Sequence, residues 1–233
     1  MRQAFKTMGV AWKRAKKWIT SPDPQYQLKK SQRQRLIKLT QAHADWVLGF
    51  LDEVWWSRLA QPHLHSWTED EFLRLLQKSV DKHDPDKKAL SSYGLWCPEL
   101  KKMFLRFVEE RPVSEITCKF LEWSCQQLER NGTKVLALVW DNASWHVSQQ
   151  VRAWIREHNK KVKTFGGVRI LVCHLPVKSP WLNPIEPKWV HGKRAIVEPE
   201  RVLSAAEVRE RVGDYFNCQQ LPLLQRSVKS EKS

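Results

Sequence analysis

The amino-acid sequence predicts an α/β fold in which a mixed central sheet is flanked by helices. Three apolar runs, at residues 46–56, 135–141 and 168–176, are continuous rather than alternating, which indicates strands covered on both faces. Helical patterns follow the second and the third of these runs. An initial group of strands followed by alternating helices and strands is typical of an α/β core whose sheet contains both strand directions.

The chain before the first strand is basic. Residues 5–19 predict one helix and residues 28–43 a second helix-like stretch. The two prolines of SPDPQY at 21–26 predict an extended linker between them. Residues 1–40 contain eleven Lys and Arg against a single acid, Asp23, and therefore predict a basic helical arm that contacts nucleic acid or, alternatively, a solvated helix face.

The first half of the sheet is less sharply defined by the sequence. Segments near 63–67, 88–96 and 104–108 predict weaker strands after the strong one at 46–56. A helix over Ser114–Arg130 is predicted next, because its apolar residues recur along one stripe and Asn-Gly follows it.

The second half carries clearer signals. A helix at roughly 146–160 is predicted between the second and third strong strands, since its apolar residues have helical spacing. The string LNPIE predicts the start of another helix, with Asn183 as the N-cap and a proline at the first helical position. Ser204 and Glu207 form a capping-box pattern for a last helix near 205–217.

These elements predict three parts of the chain. They are a basic helical arm with its linker at 1–40, a main α/β domain at 41–220 and a polar tail at 221–233, frayed after Gln225.

Composition narrows the class of protein. A net charge of +15 indicates a polyanionic partner, most simply nucleic acid. The five cysteines are odd in number and never spaced as CxxC, which argues against a disulfide framework or a zinc knuckle and favours reduced thiols in the cytoplasm. No apolar stretch approaches the ~18 residues of a membrane span, and no signal peptide is visible, so no membrane partner is expected.

Three acids far apart in the chain follow apolar or proline-marked segments: Asp52, Asp141 and Glu186. A carboxylate at the end of a buried strand is unfavourable unless it binds something. Three of them brought together would hold divalent metal ions through hard oxygen ligands. Because side chains alternate along a strand, Asp52 shares a face with Leu48 and Phe50, and Glu53 on the other face is the alternate ligand.

Each acid also has an ordinary structural interpretation. An aspartate after a strand is commonly a turn residue, which applies to Asp52 and to Asp141. Asn183-x-x-Glu186 is itself a capping-box pattern, so Glu186 can instead satisfy the Asn183 amide.

The strings around these acids carry more information. WDNASWH and SPWLNPIE resemble the DDE-superfamily endonuclease domain of mariner-like bacterial insertion-sequence transposases, and LGFLDE resembles the family's first acidic strand. By this resemblance, which covers residues 45 to 215, the catalytic and metal-binding residues are Asp52, Asp141 and Glu186. Trp181 stands where the family usually has an aspartate. The interval between the last two acids is longer than usual, and we assign the extra length to a loop at KKVKTFGG.

The resemblance implies an RNase H-like fold, with the two aspartates on neighbouring strands and the glutamate on a helix. It implies two Mg²⁺ or Mn²⁺ ions ~4 Å apart, which activate a water or a DNA 3′-hydroxyl. The expected function is metal-dependent DNA cleavage and strand transfer at insertion-sequence ends. The expected partners are double-stranded DNA, both transposon ends and target, and a second copy of the chain, in the cytoplasm of a prokaryote at the nucleoid.

Further residues are candidates to support this site. His146 matches the family's histidine and would orient the scissile phosphate or a neighbouring carboxylate, although it is alternatively a helix-start residue. Asn142 and Asn183 are the other supporting candidates. The candidate DNA-binding residues are Lys13, Arg14, Lys16, Lys17, Lys178, Lys188, Lys193 and Arg194, with simple solvation as the alternative.

Thirteen tryptophans are unusual for this length. Two lie in predicted loops beside the acids, Trp145 and Trp181, and are candidates to stack on a frayed terminal base. Those on apolar runs are predicted core residues: Trp46, Trp55, Trp123, Trp140, Trp154 and Trp189.

Two rival functions remain open. One is an RNase H-like nuclease that hydrolyses DNA without strand transfer, and the other is a DNA-binding transposase remnant that no longer cuts. A single basic helix at 5–19 cannot bury its own apolar face and so cannot form a stable sequence-specific DNA-binding domain. We therefore expect this arm to be a remnant of a helix-turn-helix region, with sequence recognition supplied from an upstream reading frame, either as a separate chain or joined by frameshifting.

Overall fold

The computed structural model describes residues 21–60, 79–198 and 200–227, which form a mixed five-stranded sheet with helices on both faces. Its elements in chain order are α1 (Tyr26–Ala42), β1 (Trp46–Ser57), β2 (Ala89–Cys97), β3 (Lys102–Val108), α2 (Ser114–Arg130), β4 (Val135–Trp140), α3 (Gln149–Phe165), β5 (Arg169–His174), a 3₁₀ turn (Pro180–Leu182), α4 (Glu186–Ile196) and α5 (Ala205–Phe216). The strand order is β3-β2-β1-β4-β5, so the predicted mixed sheet is confirmed.

The central strand β1 has a different partner along each half of its length. Its first half pairs in parallel with β4, ending at Phe50 opposite Val139. Its second half pairs antiparallel with β2, where Asp52 lies opposite Gly94. The strand therefore joins an antiparallel hairpin to a parallel α/β unit, which explains why one strand has to be apolar on both faces.

Each face of the sheet has its own core. Leu51, Leu95 and Leu136 face α2 and α3, whereas Leu48 and Phe50 face α1, α4 and α5. Alternation along β1 produces this division, because successive side chains of a strand point to opposite faces. Asp52 is consequently on the side of Leu48 and Phe50, as predicted.

Most predicted elements are observed, with small shifts at their ends. The weak strands at 88–96 and 104–108 are real, and the one at 63–67 lies outside the described residues. Helix α3 begins three residues later than predicted, because the Ser148 hydroxyl accepts the Val151 N–H and caps it there. It then continues to Phe165, so most of KKVKTFGG is helical and our assignment of that string to a loop is wrong.

Helix α4 also begins later than predicted. Asn183 is not its N-cap: it ends the preceding 3₁₀ turn, and the helix starts at Glu186. The proline-flanked sequence explains the shift, since the turn at Pro180–Leu182 uses the Asn183 N–H first. The capping box of Ser204 and Glu207 at α5 is confirmed.

The boundary predicted at residues 40/41 falls inside α1. This helix packs Leu36 and Ile37 against the sheet, and the Arg33 guanidinium lies over the Phe50 ring at 5.4 Å. It is therefore part of the α/β domain and not of an independent arm. The helix predicted at 5–19, with Lys13, Arg14, Lys16 and Lys17, lies outside the described residues.

The linker and the tail are also packed where the structure describes them. Asp23 is buried, and its carboxylate accepts hydrogen bonds from Val177 N–H and from Lys29, both at 2.8 Å. Leu224, which the sequence places in the polar tail, is buried and bridges Val108 on the edge strand β3. Both segments thus contribute contacts to the domain.

Two predictions from composition have clear outcomes. All five cysteines are free of disulfides, as expected. Trp55 is 48% exposed, so its assignment to the core is wrong: it lies on β1 beyond the stretch that α2 and α3 cover.

Among the described helices, none has the length and apolar character needed to cross a bilayer.

Candidate active site

The register of the sheet aligns the two aspartates. Phe50 and Val139 are paired neighbours on the parallel strands β1 and β4. Asp52 lies two residues beyond this pair on β1, and Asp141 lies two residues beyond it in the turn that follows β4, so both acids follow the same paired position of adjacent strands. Two carboxylates far apart in sequence are thereby brought to one edge of the parallel unit.

Asp52 lies on the face of α4. The Trp189 indole N–H donates to Asp52 Oδ2 at 3.0 Å. The ring reaches this position by lying on Gly94, where a Cβ atom would come within 2.3 Å of it. Burial raises the pKa of Asp52 to about 8, and the neighbouring Glu53 and Glu186 carboxylates act in the same direction.

Asp141 occupies the turn that follows β4. Its Oδ1 accepts the Ala143 N–H at 2.9 Å and the His146 Nδ1–H at 2.7 Å. The side chain is 53% exposed. Although partial burial acts to raise it, the hydrogen bonds from His146 and Ala143 lower the pKa of Asp141. Oδ2 keeps no hydrogen bond within the described part of the chain, so one oxygen is held and the other remains available.

His146 is buried between two carboxylates. Its Nδ1 bonds Asp141, its Nε2 bonds Glu53 Oε1 at 2.8 Å, and its ring stacks on Trp140 with centroids 4.6 Å apart. Ionised carboxylates only accept hydrogen bonds, so both ring nitrogens donate and the ring is an imidazolium. Burial opposes that charge, but Glu53 and then Asp141 raise the pKa of His146 to about 9. The helix-start interpretation is wrong, since α3 begins three residues later.

Glu186 is the first residue of α4. Its carboxylate has no hydrogen bond or ion pair among the described residues. The Asn183 N–H donates to the Pro180 carbonyl at 2.8 Å, so the capping-box alternative for Glu186 is wrong. Burial and then Asp141 raise the pKa of Glu186, while Lys193 opposes them. Glu186 thus interacts electrostatically with each of the two aspartates.

Two asparagines join the segments that carry the acids. The Asn183 amide donates to the Leu51 carbonyl at 3.5 Å, next to Asp52, while its buried Oδ1 has no partner in the structure. The Asn142 amide donates to the Leu175 carbonyl at 2.6 Å. An open cavity of about 340 Å³ lies between these segments, with Asp141, Asn183 and Glu186 in its wall.

The chemistry of this donor set suits a hard divalent cation. Asp141 keeps one free carboxylate oxygen, Glu186 has no partner for its carboxylate, and Asp52 is a buried acid that its acidic neighbours hold toward the protonated form. Carboxylate oxygens are the ligands that Mg²⁺ and Mn²⁺ prefer. As they stand, no three His, Cys, Asp or Glu side chains of the described residues form a complete chelating group.

The predicted DNA-binding residues near Glu186 have different surroundings. Lys178 lies in the wall of the cavity, and Lys193 interacts electrostatically with Glu186. Lys188 is half-buried, with its ammonium over the Trp96 ring at 4.3 Å. Arg194 is exposed in the last turn of α4.

The two loop tryptophans differ as well. Trp181 is 39% exposed on the 3₁₀ turn before α4. Trp145 meets the His146 ring edge to face, and its indole N–H is buried without a partner in the structure.

Sequence reasoning missed two contacts of this site. The sequence predicted Glu53 as an alternate metal ligand, but in the structure Glu53 hydrogen-bonds His146. The sequence predicted Trp189 as a core residue, and in the structure its indole N–H also donates to Asp52. Strand alternation already placed Glu53 on the other face from Asp52, which was the available signal for a different role. Trp189 follows Glu186 by three residues on one helix, which places both on the same side.

Comparison with known proteins agrees with this geometry. Residues 77–209, more than half of the chain, match the family described as DDE superfamily endonuclease. The matched region includes Asp141 and Glu186 and begins after Asp52. Among curated proteins, none matches the sequence.

Solved structures of the Mos1 transposase share the fold. The Mos1 paired-end complex with the left transposon end has a TM-score of 0.64 and 15% identity, over 94% of this chain and 62% of that chain. The Mos1 mariner paired-end complex with Mn gives 0.63 and 15%, over 94% and 63%. The catalytic domain of Mos1 mariner transposase gives 0.50 and 14%, over 87% of each chain. This chain therefore spans less than two thirds of the longer Mos1 chains.

At such identities the likeness shows the fold, which is the RNase H-like fold of the Mos1 catalytic domain with its mixed five-stranded sheet. The match of residues 77–209 to the family model shows that this chain belongs to the DDE superfamily of endonucleases.

Proposed function

We propose that this chain is the catalytic domain of a transposase, which cuts DNA at insertion-sequence ends and joins the freed 3′-ends to a target. One observation carries the proposal: Asp52 and Asp141 each follow the paired residues of adjacent parallel strands by two positions, and Glu186 opens a helix close enough to interact with both. A fold stabilised for binding alone gains nothing from placing the partly buried Glu186 close to two other acids.

The three acids would hold Mg²⁺ or Mn²⁺, and we propose two ions. Bound there, the ions would supply Lewis-acid stabilisation of the phosphate and activate a water or a 3′-hydroxyl. Asp141 would present its free Oδ2 while His146 and Ala143 keep Oδ1 in place. Asn183 would keep the start of α4 beside β1 through the Leu51 carbonyl, so that Glu186 faces Asp52.

Double-stranded DNA is the proposed substrate. Lys178 lies in the cavity wall beside Asp141 and Glu186, Lys193 acts on Glu186, and Arg194 follows it on the exposed end of α4. A second group of cations begins on α3. The second group is an exposed row at helical spacing: Arg152, Arg156, Lys160 and Lys163. Arg152 is close enough to act electrostatically on His174, beside the Asp141 turn, and the row extends ~16 Å from there at 1.5 Å per residue.

The row also meets Arg169 across an open cavity, and the acid near it, Glu157, pairs with Lys160 at 2.8 Å. Repeated cations with little acid between them suit a phosphate backbone. We propose that DNA runs from the acids along this face of α3.

The proposed activity is tested with purified protein, a supercoiled plasmid and Mg²⁺ or Mn²⁺. We expect metal-dependent nicking by the wild type, loss of nicking in Glu186→Gln, and normal nicking in Glu99→Gln, an exposed acid away from the site. With pre-cleaved element ends, the wild type should also join 3′-ends to the plasmid. Nicking without joining would favour a simple nuclease, and metal-dependent activity in neither assay would favour a non-catalytic remnant.

The proposed assembly is a homodimer acting at the nucleoid of a prokaryotic cell, with sequence recognition from a separate helix-turn-helix chain. The Mos1 relatives in fold are paired-end complexes, which supports an assembly that holds two ends. Sedimentation of the chain with DNA tests the dimer. Competition binding by the isolated catalytic chain tests whether a separate recognition chain is needed. If the isolated chain prefers the terminal repeat of its own element about a thousandfold, the range of specific binders, no separate chain is needed and the proposal is contradicted.

A further inference from the structure

The side chains of the neighbouring residues Asp52 and Glu53 point to opposite faces of the sheet. Asp52 points toward α4 and accepts the Trp189 N–H, whereas Glu53 points toward the face of α2 and α3 and bonds His146. The strand pleat requires this division, because adjacent side chains on β1 cannot reach the same face. Glu53 therefore cannot act together with Asp52 as a second ligand on one side of β1.

The contact between Glu53 and His146 excludes water. The His146 side chain is fully buried, and Glu53 is 7% exposed. Stacking on Trp140, with ring planes 10° apart, sets the plane of the imidazole, and the Glu53 bond sets its rotation within that plane. A buried ring with both nitrogens bonded has one orientation available to it.

That orientation determines where Asp141 Oδ1 lies. The backbone of the turn after β4 is held by local bonds, such as the His146 N–H to the Ala143 carbonyl at 2.9 Å, and by the Asn142 amide on the Leu175 carbonyl, whereas the Asp141 side chain is half-exposed. His146 Nδ1 is the one side-chain donor to the Asp141 carboxylate in the described part of the chain. Glu53 thus reaches Asp141, on the neighbouring strand, through a single ring.

We propose that Glu53 is a positioning residue that acts through His146 to hold the Asp141 carboxylate with Oδ2 turned toward the metal site. The role at the metal ions rests on the function proposed above, whereas the hydrogen bonds from Glu53 through His146 to Asp141 do not depend on that function. Ligand-orienting partners of this kind typically change metal affinity 10–100-fold when they are removed.

The first test uses full-length protein without metal. Hydrogen exchange of the amides of residues 142–147 should accelerate at least several-fold in Glu53→Ala, and less in the isosteric Glu53→Gln, whose amide oxygen still accepts a bond. Glu99→Gln is the matched control. Unchanged exchange in folded Glu53→Ala would overturn the proposal, and the Gln variant keeps the test valid if the Ala variant does not fold.

The second test measures Mn²⁺ binding by the spin-resonance signal of the free ion. We expect roughly 10–100-fold weaker binding in Glu53→Ala, with DNA affinity in the presence of a chelator unchanged. Glu53→Ala and His146→Gln should not be additive, because they remove one chain of contacts. Wild-type Mn²⁺ affinity in folded Glu53→Ala, or full additivity, would contradict the proposal. If the wild type itself binds no Mn²⁺ while Glu53→Ala loosens the turn, Glu53 holds Asp141 and the proposed function fails instead.

Discussion

Two acids near the second half of β1, Asp84 and Asp52, have different partners in the fold. Just past the end of the strand, the buried Arg58 guanidinium makes two bonds to Asp84, at 2.9 Å each, and donates to the Leu203 carbonyl at 2.6 Å. Within the strand itself, the Asp52 carboxylate has a neutral indole as its side-chain donor and acidic neighbours.

The contrast appears in the pKa values of the two groups. The Arg58 hydrogen bonds lower the pKa of Asp84, whereas burial and acidic neighbours raise that of Asp52 to about 8. Charges that join segments of the fold are neutralised within it. An acid that the fold leaves without a cation is a candidate to receive one from solution, and Asp52 differs from Asp84 in this respect.

The largest effect is expected from removing the three candidate metal ligands. Asp52→Asn, Asp141→Asn and Glu186→Gln should each reduce metal-dependent DNA cleavage about a hundredfold or more, because each removes an oxygen ligand of the proposed metal site. Cleavage is measured on purified variants, with circular dichroism as the check on folding. Wild-type cleavage by Glu186→Gln would remove that residue from the site.

The pair of Arg58 and Asp84 should respond in stability instead. Arg58→Ala should lower the free energy of unfolding by about 1–3 kcal/mol, the usual effect of leaving a buried hydrogen-bond acceptor, here the Leu203 carbonyl, without its donor. Urea unfolding measures it. Arg58→Lys should recover only part of the stability, because an ammonium cannot bond both Asp84 oxygens as a guanidinium does. A decrease below ~1 kcal/mol in Arg58→Ala would mean that the two groups do not differ as described.

The comparison also predicts opposite responses to pH in the metal-free protein. With its folded pKa near 8 and its ordinary value at 3.8, Asp52 contributes stability below pH 4 that is lost as the pH rises through 8. Asp52→Asn should therefore become progressively more stable than the wild type between about pH 5 and pH 8. A gain of 1 kcal/mol corresponds to about 2–4 °C in Tm for a chain of this size.

Asp141→Asn is the matched control for that measurement. The folded pKa of Asp141 is lowered, so its ionised form contributes stability above its ordinary pKa, and the variant should show no gain at about pH 8. Thermal unfolding of both variants at about pH 5 and about pH 8, with and without Mg²⁺, measures this difference. Equal shifts in the two variants would contradict the assigned difference between the aspartates.

The smallest effect concerns the cations of residues 1–20, a segment whose sequence contains no acid. Deleting residues 1–20 should flatten the plot of log affinity for DNA against log salt by about 0.9 for each phosphate that the arm neutralises. The deletion stops at 20 because Asp23 and α1 are packed into the domain. An unchanged slope would mean that the arm does not bind DNA.

Much of the fold was accessible from the sequence because its signals are local. Continuous apolar runs identified β1, β4 and β5, and the box of Ser204 and Glu207 located the start of α5. Errors occurred where two local signals competed. The string LNPIE looks like a capped helix start, but the turn at Pro180–Leu182 takes the Asn183 N–H first and moves the helix to Glu186.

The sequence by itself singled out the candidate site residues, the acids at 52, 141 and 186 in strings typical of one family, and a strongly basic composition. Only the tertiary structure decided their relations. The pairing of Phe50 with Val139 places each aspartate two residues beyond one paired position, and the packing of α4 brings Trp189 to Asp52. The link from Glu53 to Asp141 joins two strands through a buried ring, and no local pattern encodes a contact that depends on how the sheet is assembled.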